Sequence, residues 1–147
     1  MHFFIPPFLF ATCILLQYAL SKWIPLWSFS DWLDPQIGYW FFALGVGMIA
    51  ITGLQMVSVR TEIHTFKMPR QLLTSGMFNI SRNPIYLGFS IALLGAALRL
   101  GTITALLPMA LFIFIANSWY IPFEERNLEQ VFGEDFRRYS RKVRRWL

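Results

Sequence analysis

Four apolar runs constrain this 147-residue chain more than any motif does, because each must be taken out of water. They cover about Phe3 to Leu20, Tyr39 to Val57, Ile85 to Leu98 and Thr102 to Tyr120. Crossing the hydrocarbon of a bilayer takes about 20 apolar residues in a helix, and a backbone in lipid must satisfy its own amides. The runs therefore predict an all-α integral membrane bundle of four transmembrane helices. The third run is short for a full span. Only Arg99-Leu-Gly101 separates it from the fourth, so the last two helices form a tight antiparallel hairpin. With 56% of residues hydrophobic and 14% charged, a soluble domain of this size would lack polar surface. The chain reads as one domain, residues 1–147, ending in an interfacial tail over 122–147. A signal peptide ending near Ala19-Leu-Ser21 is the competing reading of the first run. The missing basic n-region and the length of the run argue for a retained helix.

Charge placement orients this bundle. The connection from Lys22 to Gly38 sets one cation against Asp31 and Asp34, whereas Arg60, Lys67, Arg70 and Arg82 fall in or beside the next connection. Arg126, Arg137, Arg138, Arg141, Lys142, Arg144 and Arg145 follow the last run. The positive-inside rule then puts the second connection and both termini in the cytoplasm. Trp23, Trp27, Trp32 and Trp40 collect at the opposite boundary, as interfacial aromatics do. In the tail, Phe136, Tyr139, Val143 and Trp146 recur at helical spacing among the cations. This pattern predicts a C-terminal amphipathic cytoplasmic helix after Gly133, resting on anionic lipid and closing over the cytoplasmic face, or serving as a plain anchor. Membrane topology accounts for the positive charge, so nucleic acid is not an expected partner.

Small residues at Ala43 and Gly47 in the second run, and at Gly88, Ala92 and Ala96 in the third, predict grooves for close helix packing or for a homo-oligomer. Gly45-Val-Gly47 sits mid-helix without a preceding strand and reads as packing, not as a nucleotide loop. Pro108 is expected to kink the fourth helix. Gln17, Gln55 and Asn117 are polar at membrane depth and should face the interior or each other. Cys13 has no partner cysteine, and no metal-ligand cluster is evident.

Chemistry concentrates between Arg60 and Gly88. Thr74-Ser75-Gly76 is a turn signal, and Asn83-Pro84 reads as an N-cap followed by proline at the first helical position. The third helix would thus present backbone amides and a positive dipole end beside Arg82, a setting suited to a carboxylate or phosphate. The alternative is a capped helix whose arginine snorkels to head groups. Tyr86 and Phe78 offer flat apolar surface for a heteroaromatic ring. Across the hairpin, Glu124 and Glu125 follow Ile121-Pro122-Phe123 and bring the opposite charge. A site with both signs fits a zwitterionic or sulfonium ligand better than a purely anionic one.

Leu72-Leu-Thr-Ser-Gly76, Ser81-Arg-Asn-Pro-Ile-Tyr-Leu-Gly88, and Glu124-Glu125 with Leu128, Phe132-Gly133, Tyr139 and Val143 together resemble the isoprenylcysteine carboxyl methyltransferase and phospholipid methyltransferase group of integral membrane enzymes. The resemblance covers about Thr61 to Leu147. It implies an enzyme that binds S-adenosylmethionine at the cytoplasmic side and methylates a lipid or small lipophilic acceptor reached through the bilayer. Carried over by motif, the cofactor-binding residues are Arg70, Gln71, Leu72, Leu73, Gly76, Phe78, Arg82, Asn83, Pro84, Ile85, Tyr86 and Glu124. His64 joins them by its likeness to a histidine ahead of the turn in bacterial relatives. Tyr120 and Glu125 are the side chains placed to assist the acceptor. Tyr120 stands where members that methylate prenylated protein C-termini carry an arginine, which speaks against a prenylcysteine carboxylate. The short N-terminal half lacks the extra helices of eukaryotic relatives, so a bacterial inner membrane is the expected location. Two other classes remain open. One is an NADPH-dependent membrane reductase of a lipid double bond, which would want more cations and fewer acids at the site. The other is a noncatalytic membrane partner or transport subunit, in which Gln17, Gln55 and Asn117 would line a path.

Overall fold

The structure, a computed structural model, describes residues 6–29, 32–59 and 71–147. Its α-helices are α1 (Pro6–Trp23), α2 (Gln36–Ser58), α3 (Pro84–Leu100), α4 (Leu106–Ile115), α5 (Ile121–Phe132) and α6 (Glu134–Lys142). Two 3₁₀ turns, Gly76–Asn79 and Ile103–Ala105, precede α3 and α4, and a π turn over Ala116–Tyr120 joins α4 to α5. Among the described residues no strand forms, and the class is all-α as expected.

Among the described residues, two helical stretches are long and apolar enough to cross a membrane: Gln36–Ser58, of 23 residues, and Ile103–Phe132, of 30. Few of their apolar side chains are spent on a core. Trp40, Leu44, Ile51, Leu54 and Val57 on α2, and Leu107, Leu111 and Phe114 on α4, lie exposed. A helix apolar on all sides whose outer face is uncovered by protein matches hydrocarbon, not water.

The α2/α3 pair is antiparallel and meets backbone to backbone. A Cβ on Gly38 would stand 2.6 Å from the Arg99 nitrogen and the Gly95 oxygen. On Gly45 it would stand 2.5 Å from the Ala92 nitrogen and the Gly88 oxygen, and on Gly95 it would strike the Phe42 nitrogen. Seven residues are close to two helical turns, so Gly38 and Gly45 share one face, as do Gly88 and Gly95. This corrects the predicted grooves. Gly88 and Ala92 do meet α2, but Gly95 joins them where Ala96 was expected, and Gly38 and Gly45 replace Ala43 and Gly47. A Cβ on Gly47 would meet nothing within 4 Å.

Helix α1 packs on α3 and α4. Leu9 and Cys13 enter a core with Tyr86, Phe89, Leu93, Phe112, Ala116, Tyr120 and Ile121. Gln17, fully buried one turn beyond Cys13, donates its Nε2 to the carbonyls of Leu93 at 3.0 Å and Ala105 at 2.9 Å, tying the hairpin together. At that end Gly101 closes α3 at φ +69°, and its carbonyl accepts from the Phe29 amide at 2.8 Å.

The fourth run departs from expectation. Pro108 lies in the first turn of α4, where a missing amide costs little. The irregularity comes later, as the π turn over Ala116–Tyr120. Pro122 follows it and cannot donate to the Ser118 carbonyl, so the hydrogen-bond ladder has to widen ahead of it. The helical path therefore continues past Tyr120 to Phe132 instead of ending there.

Candidate functional site

At the end of the bundle opposite Gly101, α3 begins, the α4–π–α5 path carries its acids, and the last five residues of the chain fold back between them. Asn83 does occupy the N-cap position with Pro84 next, but its side chain makes no cap hydrogen bond. Its Nδ2 donates instead to the Arg145 carbonyl at 3.2 Å. The Ser81 hydroxyl donates to that same carbonyl at 3.1 Å and accepts from the Asn83 amide at 3.1 Å. The Arg82 amide donates to the Arg144 carbonyl at 3.0 Å. The C-terminal segment thus occupies the Arg82 backbone amide and the Asn83 side-chain amide just ahead of α3.

The acids split their roles. Glu124 Oε1 accepts from the Tyr86 hydroxyl at 3.0 Å, which joins the start of α5 to the first turn of α3. The Tyr86 and Tyr120 rings stack with centroids 6.3 Å apart. Glu125 is held by two guanidinium groups. Arg82 Nη2 meets Oε1 at 3.0 Å, and Arg145 grips both oxygens, Nη2 to Oε2 at 2.6 Å and Nε to Oε1 at 3.3 Å. Arg82 and Glu125 side chains are only 15% and 16% exposed, so this network is largely out of water. Arg82 Nε is buried with no hydrogen-bond partner among the described residues, an unspent donor on a charged group. Arg145 Nη1 also donates to Asn117 Oδ1 at 3.1 Å, as does Trp146 Nε1 at 3.4 Å.

The loop before α3 is set by a residue that the sequence reading placed at membrane depth. Gln55, near the end of α2, donates Nε2 to the Ser75 carbonyl at 2.7 Å and accepts from the Met77 amide at 3.2 Å. Gly76 between them adopts φ +59°, and a Cβ there would stand 2.7 Å from Gln55 Oε1. The positive φ calls for glycine here, and any side chain would also have to displace the Gln55 amide. Beyond this turn Phe78 and Leu72 pack with Phe136, Tyr139, Val143, Leu128 and Phe132 into a second apolar cluster. The Tyr139 hydroxyl donates to the Phe78 carbonyl. Burial pushes the Tyr139 phenol up to about 12 against an opposing effect of Arg82, so it stays protonated as a donor.

Of the predicted set, Arg82, Asn83, Pro84, Tyr86, Tyr120, Glu124 and Glu125 come together around the start of α3. Ile85 leans on the main core. Leu72, Leu73, Gly76 and Phe78 line the neighbouring loop, where Gln71 is exposed. His64 and Arg70 lie outside the described residues. Phe78 is partly buried against the second cluster, beside α6. Sequence reasoning missed Gln55, Ser81, Arg145 and Trp146 as parts of this site. Arg145 belongs to a basic run in which charge pattern alone distinguishes no member.

The family model described as Phospholipid methyltransferase matches residues 35–135. Protein-S-isoprenylcysteine O-methyltransferase B of Arabidopsis thaliana is 30% identical over 88 residues, 60% of this chain and 42% of that protein. The Protein-S-isoprenylcysteine O-methyltransferase of Schizosaccharomyces pombe is 35% identical over 72 residues, 49% of this chain and 30% of its own length. A Haemophilus influenzae protein described as uncharacterized is 44% identical over 63 residues, 43% of this chain and 100% of that protein. The chain spans less than half the length of these two methyltransferase relatives. No solved structure matches it.

Proposed function

This chain belongs to the phospholipid methyltransferase family, and from that premise we propose that it is an S-adenosylmethionine-dependent methyltransferase of a lipid or small lipophilic acceptor. In this reading α1 and α3 cross the bilayer with the two longer stretches, both termini are cytoplasmic in a bacterial inner membrane, and α6 rests on anionic lipid. The observation that carries it is the hydrogen bond from Tyr86 to Glu124, which unites the start of α3 with the acid pair. Arg82 fits the carboxylate of the cofactor with its unspent, buried Nε, and Glu124 fits its ammonium or ribose hydroxyls. Asn83, Pro84, Ile85 and the turn around Gly76 supply the surrounding wall, with Gln71, Leu72, Leu73, Phe78, His64 and Arg70 on the approach to it.

When bound, the cofactor supplies a methyl group already activated on a sulfonium. The residues of this chain then have to align an acceptor in line with that methyl and keep water away. Tyr120, stacked beside Tyr86, forms the face toward the acceptor. Glu125, with both oxygens on guanidinium groups, holds Arg82 and the tail in position.

Calorimetric titration of the detergent-purified protein with S-adenosylhomocysteine, with NADPH in parallel, tests the assignment. Saturable binding of S-adenosylhomocysteine alone is expected. Binding of NADPH alone would move the protein to the reductases, and binding of neither would point to a noncatalytic role.

A further inference from the structure

Glu125 separates two guanidinium groups with different surroundings. Arg82 is enclosed, whereas the Arg145 side chain is 34% exposed on the outer side of the carboxylate. A guanidinium has five N–H groups. Three of those on Arg145 are spent, on both oxygens of Glu125 and on Asn117 Oδ1, which leaves one on each Nη. Asn117 is itself exposed. Its oxygen receives both Arg145 Nη1 and Trp146 Nε1, which fixes the amide and leaves Nδ2 as the unspent donor of that side chain. Arg145 and Asn117 together thus present N–H groups at one lip of the site.

The position of this lip narrows what could use them. Asn117 lies in the π turn where the apolar run of α4 ends, two residues before Trp119, which is 72% exposed, and at the Nε1 edge of the Trp146 ring. Exposed tryptophan at the end of an apolar helix marks the head-group level of a bilayer. A guanidinium with paired N–H groups matches phosphate geometry. The acids facing it are Glu125, already shared by two cations, and Glu124, which is turned to Tyr86.

We propose that Arg145 and Asn117, framed by Trp146, form a binding site for the phosphodiester of a membrane-lipid head group. Glu125 acts as the internal competitor for Arg145. The site does not depend on the identity of the cofactor.

Three variants test it: Arg145→Gln, Asn117→Asp and Glu125→Gln. Each is titrated in detergent with dioctanoyl phosphatidylglycerol, with dioctanoylglycerol and inorganic phosphate in parallel, and its thermal unfolding is recorded. Arg145→Gln should weaken phosphatidylglycerol binding about tenfold, the scale of one lost charge-assisted hydrogen bond. Asn117→Asp should weaken it similarly while holding or raising the unfolding temperature, since the new carboxylate pairs with Arg145. Glu125→Gln keeps an oxygen acceptor for Arg145 while removing the competing charge, and should tighten binding. A purely structural tail would show the reverse for Asn117→Asp and a loss for Glu125→Gln. Wild-type binding in Asn117→Asp, or equal binding of dioctanoylglycerol, would overturn the proposal, and inorganic phosphate binding as well as the lipid would replace the head group with a soluble anion. Head-group binding that persists where S-adenosylhomocysteine fails to bind would defeat the methyltransferase reading and leave this site standing.

Discussion

Tyr86, Glu124 and Tyr139 show how single hydroxyl and carboxyl groups hold this site together. Replacing Glu124 with glutamine keeps its shape but removes the charge proposed to meet the cofactor. S-adenosylhomocysteine affinity should fall by about tenfold or more, the worth of a hydrogen bond to a charged group. Calorimetry of the variant checks this, and unchanged affinity would take Glu124 out of the cofactor site. Tyr139→Phe deletes the hydrogen bond to the Phe78 carbonyl and should cost about 1 kcal/mol. Its pH signature is more telling. The folded-state value of about 12 lies above the ordinary tyrosine value of 10.0, so the unfolded chain gives up this proton first as the solution turns alkaline. The stabilisation is complete below pH 10 and is lost as pH rises toward 12. Thermal unfolding of the wild type should therefore show a falling alkaline limb that is shallower in Tyr139→Phe. By contrast, the exposed pair between Arg141 and Glu134, whose hydrogen bond holds the Glu134 carboxyl below its usual range, should matter little at neutral pH. Tyr86, Arg82 and Glu124 were legible in the sequence because their motifs carry them. Gln55 and Arg145 were not, since a lone glutamine at a helix end and one arginine among many have no pattern of their own.

At the scale of elements, the α2/α3 contact is the most demanding interface. Gly45→Ala places a Cβ 2.5 Å from fixed backbone atoms of α3, where no rotamer change can relieve it. A loss of about 1–3 kcal/mol is expected, as for other overpacked sites. Gly47→Ala, two residues away and facing open space, should be neutral or gain up to about 1 kcal/mol by restricting the unfolded chain. Unfolding of the two variants side by side in detergent checks the register, and equal effects would refute the packing described for α2. The small residues were visible in the sequence, but which face meets α3 was not. Period alone allows Ala43 and Gly47 as readily as Gly38 and Gly45, and only the partner helix chooses. The π turn has a similar history. It lies just ahead of Pro122, whose missing amide reaches back into the apolar run, and hydropathy registers no such change.

Across the whole molecule, the last residues act far from their place in the chain. The Arg144 and Arg145 carbonyls serve Ser81, Arg82 and Asn83, and the Arg145 guanidinium reaches Glu125 and Asn117. Ending the chain after Lys142 should remove these acceptors together, lower the unfolding temperature and abolish S-adenosylhomocysteine binding. Retained binding would reduce the tail to an anchor. The family match stops at residue 135, so this closure lies outside the matched part of the chain. What the sequence by itself determined is the all-α class and the set of chemical groups at the polar end, because hydropathy and short-range motifs are local properties. The tertiary structure decided which donors those groups keep. A basic tail can lie on lipid or fold back on the protein with the same composition. Only the long-range meeting of Arg145 with Glu125, whose carboxylate must be neutralised once it leaves water, selects the second.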